Sequence, residues 1–190
     1  MGLYHYTLNI EDQQLIELCR EGDSAAQRVL YDRYVQAMYN RVIRMVADRH
    51  LAEDILQEVF LKVFRYLPSF KGDSTIGAWI KRIAINTTIE HLRGKRRIDY
   101  TDTLPENGIP HPASVEEPPE VSMATIHSAI KQLPAGSRVV LTLYLLEGYQ
   151  HQEIAQILDI SESTSKTQYR RGRQLLQEIL KSMDNGIKGR

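Results

Sequence analysis

The stretch SESTSKTQYRRGRQLL, residues 161–176, sets three hydroxyls around one acid and then places four cations within eight residues. With a helix beginning near Glu162, the spacing brings Ser163, Lys166, Thr167, Arg170, Arg171 and Gln174 onto one face. All six can donate hydrogen bonds. Arginine and lysine neutralise phosphates or pair bidentately with guanine, while serine, threonine and glutamine reach phosphates or base edges. Tyr169, Gly172 and Leu176 lie on the opposite side and suit packing, although Ser165 stands where an apolar residue is expected. The competing account is a solvated polar face. A second set, FKGDST at residues 70–75, joins an aromatic ring, a glycine turn and hydroxyl donors. These are the ingredients for holding an unstacked base of single-stranded nucleic acid. Phe70 could equally plug a core.

The elements that must position these residues are helical, because apolar residues recur at spacings of three and four with almost no period-two alternation. The strongest pattern is LAEDILQEVFLKVFRYL, residues 51–67, in which Leu51, Ile55, Val59, Phe60, Val63, Phe64 and Leu67 form a core stripe. Its other side carries Glu53, Asp54, Gln57, Glu58, Leu61 and Arg65. Residues 22–46 form a second long helix with an Asp or Ser cap, and residues 76–97 a third that ends in a basic cluster. Toward the C-terminus, SMATIHSAIKQL stops at Pro134, SRVVLTLYLLEG stops at Gly148, and HQEIAQIL is separated from residues 161–176 by a short break. This last pair has helix-turn-helix spacing, with Ala155 small at the crossing, Ile154 and Leu158 facing a core, and Asp159 at the turn position where glycine is usual.

Charge divides the chain further. The 24 basic and 24 acidic residues cancel overall, yet they fall as 15 against 12 in residues 1–98, 0 against 6 in 99–120, and 9 against 6 in 121–190. Five of the seven prolines (Pro105, Pro110, Pro112, Pro118 and Pro119) lie in the acidic middle, where missing amide donors exclude regular pairing. The expectation is an all-α protein of two small helical domains, 1–98 and 121–190, joined by an acidic, proline-rich linker over 99–120. A lone Cys19 excludes an internal disulfide framework. No cationic leader followed by an apolar run opens the sequence, and its longest apolar run, VVLTLYLL, is far short of a bilayer span, so a cytoplasmic location is expected.

In order along the chain, GDSAAQRVLYDRYVQAMYNRV, AEDILQEVFLKVFRYLPSF, FKGDSTIGAWIKRIAINTTIEHLR and LPAGSRVVLTLYLLEGYQHQEIAQILDISESTSKTQYRRGRQLL resemble segments of the extracytoplasmic-function (ECF) sigma factors. These are two-domain promoter-recognition subunits of bacterial RNA polymerase. The resemblance covers nearly the whole length. It implies that Asp54, Gln57, Glu58 and Leu61 meet the clamp helices of the largest polymerase subunit, with the flap of the second subunit as a further partner. It also implies that Phe70, Lys71, Gly72, Asp73 and Ser74 hold a flipped base of the minus-ten non-template strand. Asn86 matches a family asparagine near that strand, whereas Ile85 replaces a residue that is often basic. Arg82, Arg93, Lys95, Arg96 and Arg97 would supply phosphate contacts; Trp79 reads as core rather than as a wedge between bases. Residues 163–174 would read the minus-thirty-five element. The implied partners are core RNA polymerase, promoter DNA and an anti-sigma factor, and the linker would pass near the polymerase active site and out by the RNA exit path.

Two other classes compete. An ordinary DNA-binding activator with an N-terminal sensor bundle explains the helix-turn-helix but not the segment from FKGDST to HLRGKRR. A helical enzyme with carboxylates in its bundle lacks a nucleophile with a base partner, a phosphate-binding glycine loop and any Glu-x-x-His pair or Cys cluster. The chain is therefore expected not to be an enzyme, with no cofactor and no metal.

Overall fold

The computed structural model describes residues 12–95 and 122–188, and every described element is helical. In chain order these are α1 (Asp12–Arg20), α2 (Ser24–Val46), α3 (Arg49–Tyr66), a single 3-10 turn (Leu67–Ser69), α4 (Ile76–Lys95), α5 (Met123–Lys131), α6 (Ala135–Leu141), a π-helical turn (Thr142–Leu146), α7 (His151–Leu158) and α8 (Glu162–Lys188). Contacts divide them into two compact units, one of α1 to α4 and one of α5 to α8, with Arg44–Ala47 grouped with the second. Residues 99–120, expected to be the linker, lie outside the described residues.

Local chemistry sets the helix ends of the first unit. Asp23 accepts from the Ala26 amide at 2.9 Å and starts α2, Asp48 accepts from Leu51 N at 3.0 Å and starts α3, and Thr75 Oγ1 accepts from Ala78 N at 3.2 Å at the head of α4. The core stripe of α3 consists of Ala52, Ile55, Leu56, Val59, Phe60 and Val63. Leu51 and Phe64, expected in that stripe, are only half-buried, and Ala52 and Leu56 join it instead. Across the bundle, Leu30 from α2 and Ile80, Ala84, Ile85 and Ile89 from α4 are also buried, and Tyr31 packs on Phe60 with ring centroids 4.6 Å apart. Ile85 is thus core, which explains an apolar residue there.

In the second unit Ile130, Leu133 and Leu141 form a core covered by Ile126, Leu175, Leu176 and Ile179. The expected helix over 137–148 is not uniform. It changes at Thr142 into a wider turn, in which Glu147 N donates to Thr142 O at 3.2 Å, and Leu145 and Leu146 emerge partly exposed.

Candidate nucleic-acid interface

The turn between α7 and α8 is built as its sequence suggested. Asp159 adopts a left-handed conformation (φ 56°, ψ 50°) and ends α7, with its amide donating to Ala155 O. Ser161 then accepts from Thr164 N at 3.0 Å, capping α8. At the start of α7, Glu153 accepts from the Gln150 amide at 2.7 Å in a capping box.

The two faces of α8 are both polar but differ in burial. Its inner face is Ser165, Gln168 and Gly172, all buried. Ser165, unexpected there from its polarity, meets His151 Nδ1 at 2.9 Å, and Gln168 Oε1 accepts from Ser137 Oγ at 2.7 Å. His151 stacks on Tyr144 at 4.4 Å and sits beside Tyr169, and its burial holds the imidazole below the usual histidine range. Gly172 lets α6 and α8 approach closely: an added Cβ would meet Ser137 O and Leu141 Cδ1 at 3.2 Å. These internal partners hold α8 in place and leave its outer face to the solvent.

On that outer face Ser163, Lys166, Arg170 and Gln174 are exposed, whereas Thr167 and Arg171 are half-buried at its edge. Glu162, which the face as expected omitted, pairs with Lys166 at 2.6 Å, and this contact holds its carboxyl below the usual range. Such an i,i+4 pair orders the lysine head without removing its charge from solvent.

In the first unit the loop and α4 together form a second polar surface. Lys71, Gly72, Asp73, Ser74 and Thr75 are all exposed, and Gly72 at φ 80° makes the turn that other residues resist. Of the two placements left open for Phe70, the free chain shows the packed one: the residue is 8% exposed and its ring packs against Trp79 with centroids 5.2 Å apart, which anchors the loop. From the loop, Ala78, Arg82 and Asn86 continue along the exposed side of α4 one helical turn apart, and Arg93 follows two turns beyond Asn86. The structure therefore brings Arg82, Asn86 and Arg93 into line with the loop. Arg96 and Arg97 lie outside the described residues, and Lys95 is described only in its backbone.

Beneath the loop is an open cleft of about 380 Å³, walled on one side by Phe70, Lys71, Gly72, Ser74, Thr75 and Ile76 and on the other by Asp12, Gln13, Ile16, Glu17 and Arg20 of α1. The contribution of α1 had no counterpart in the sequence reading.

On α3, Asp54, Gln57, Leu61 and Arg65 form an exposed stripe, and Leu61 is 72% exposed. Glu58 differs from its neighbours. It is half-buried, 2.5 Å from His91 Nε2 and 2.8 Å from Lys62 Nζ, and Lys62 in turn reaches Glu90 and Thr87. His91 and then Lys62 hold the Glu58 carboxyl below the usual glutamate range. Glu58 thus ties α3 to α4 as well as bordering the stripe.

Burial pushes the Cys19 thiol up to about 11, which leaves no thiolate for nucleophilic chemistry near neutral pH. Among the described residues no helix is long and apolar enough to cross a membrane, and no three His, Cys, Asp or Glu side chains gather as metal ligands.

Comparison with known proteins agrees with this geometry. The family description "Sigma-70 region 2" matches residues 30–98, and "Sigma-70, region 4" matches residues 123–176. The chain is 34% identical over 184 residues to the RNA polymerase sigma-H factor of Pseudomonas aeruginosa, covering 91% of this chain and 95% of the relative. It is 31% identical over 178 residues to the ECF RNA polymerase sigma-E factor of Escherichia coli K12, covering 88% and 93%. Among solved structures, the sigma factor RpoE of Bartonella quintana, crystallised with the anti-sigma factor NepR, superposes with a TM-score of 0.51 at 24% identity, covering 81% of this chain and 96% of that one. The two matched regions, the full-length similarity and the helix-turn-helix of α7 and α8 together place the chain in the family of ECF RNA polymerase sigma factors.

Proposed function

We propose that the work of directing core RNA polymerase to promoters is divided among three surfaces of this chain. The exposed face of α8, centred on Ser163, Lys166, Arg170 and Gln174 with Thr167 and Arg171 at its edge, reads the minus-thirty-five element in the major groove. The loop 71–74, anchored by Phe70, captures a base of the minus-ten non-template strand, while Arg82, Asn86 and Arg93 follow that strand along α4 and Arg96 and Arg97 extend the cationic path. Asp54, Gln57 and Leu61, with Glu58 at their border, dock on the clamp helices of the largest subunit, and the flap of the second subunit is the partner of residues 121–190. Residues 1–98 and 121–190 act as domains on a tether of residues 99–120. The protein works in the cytoplasm, has no catalytic activity of its own, and pairs with an anti-sigma factor; the sigma factor RpoE of Bartonella quintana crystallised in complex with one, NepR.

The observation that carries this reading is the asymmetry of α8. Its inner polar groups are matched by internal partners, and its outer face presents a lysine and an arginine to solvent from a helix-turn-helix. The test is Arg170→Ala in the holoenzyme, assayed against a promoter library with randomised minus-thirty-five positions. Loss of about 1–3 kcal/mol of binding, with relaxed discrimination at one base pair, is expected for a base contact. Unchanged affinity and unchanged base preference would return the face to a solvated surface.

A further inference from the structure

We infer that Arg20 of α1 is the positioning residue of the strand-reading loop, an inference that rests on the proposed role of residues 71–74 in base capture. Three bonds converge on its guanidinium. Nη2 donates to the Phe70 carbonyl, Nε donates to the Leu67 carbonyl at 3.4 Å, and Nη1 donates to Glu17 Oε1 at 3.0 Å. The carbonyl acceptors lie 50 and 47 residues away in the chain, so this is a tertiary clamp and not a helix cap.

The place it grips matters. Leu67 and Phe70 are the two ends of the 3-10 turn, whose own bond runs from Phe70 N to Leu67 O at 3.1 Å. Lys71 follows immediately and begins the exposed loop. The Phe70 ring fixes the turn on the Trp79 side, and Arg20 fixes its backbone on the α1 side. Without the second anchor the loop would pivot about the ring and change the shape of the cleft that α1 and the loop enclose. Only arginine supplies a rigid planar fork that can serve two carbonyls and a carboxylate together; lysine keeps the charge but presents a single point. Glu17 orients the fork from one helical turn earlier, and the Arg20 side chain is 30% exposed, so its guanidinium is partly sheltered from competing water.

The test uses the full chain bound to core polymerase and fluorescent single-stranded minus-ten oligonucleotides that carry each of the four bases at the captured position. The wild type should prefer one base. Arg20→Ala should weaken the preferred oligonucleotide about tenfold and bring the four bases within about threefold of one another, leaving core affinity and the melting temperature of the free protein near wild type. Arg20→Lys should behave as Arg20→Ala does, because the fork and not the charge holds the loop. Retained base preference in Arg20→Ala overturns the inference. So does a parallel loss of core affinity and melting temperature that Arg20→Lys restores, since that describes a brace for the fold. Lys71→Ala and Ser74→Ala separate this failure from that of the loop itself. If they abolish the preference while Arg20→Ala keeps it, only the positioning role falls. If they also leave it intact, or if the wild type shows none, base capture by the loop falls with it.

Discussion

At the scale of the residue, the polymerase-facing proposal turns on Leu61. It sits within α3, whose neighbouring leucines and valines are buried, yet it is 72% exposed between Gln57 and Arg65. Complete burial of such a side chain is worth about 1.5–3 kcal/mol, which a partner surface can recover. Leu61→Asp should therefore weaken association with core polymerase by about 2 kcal/mol or more, roughly thirtyfold, in a titration of labelled protein. Its melting temperature should stay close to wild type, because the residue lies off the core stripe. Leu61 could be identified from the sequence because helical period alone separates it from Ile55, Val59 and Val63. Glu58 could not, because its partner His91 is 33 residues distant and the same spacing that exposes Asp54 also makes Glu58 look free. Phe70 shows the same limit: a ring in a glycine turn suits stacking on a base as well as packing on Trp79, and tertiary structure decides. The polarity of Ser165 was likewise explained only by its contact with His151.

At the scale of the element, the position of α8 depends on how closely it lies against α6. Gly172→Ala would gain about 1 kcal/mol of helix propensity but set a methyl 3.2 Å from the Ser137 carbonyl, a backbone group that moves only with its helix. Overpacking of this kind costs about 1–3 kcal/mol, so a net loss of about 1 kcal/mol is expected, readable as faster amide exchange in α6 and α8. A gain in protection would mean that α6 yields easily. Long elements followed from apolar periodicity and caps, as in α2, α3 and α4. Two features did not. α1 carries no motif and no breaker that singles it out in the sequence, and its importance comes from burying Leu15, Ile16 and Cys19 and from the reach of Arg20 to a distant turn. The π-helical turn at 142–146 interrupts a sequence that reads as continuous helix, and no residue type in it marks the change.

At the scale of the whole molecule, charge and proline content predicted two units, and the described residues form two compact units of four helices each. Neither proposed DNA surface is large. One is a short face of α8 and the other a loop with part of one helix, connected in sequence through the 22 residues of the acidic segment 99–120. Each alone should bind weakly and lose affinity steeply with salt, as phosphate-dominated contacts do. Core polymerase would fix their separation and turn the second contact into an intramolecular one, with an effective concentration that can multiply affinity by about 10²–10⁴. An activator would instead bind its duplex site tightly by itself. The decisive measurement is therefore promoter binding and strand opening by the purified full chain, with and without core enzyme, on a library of duplex promoters. Weak, salt-sensitive duplex binding is expected without core, and specific binding with strand opening only when core is present. Tight sequence-specific binding without core, unaltered by Leu61→Asp, would contradict it.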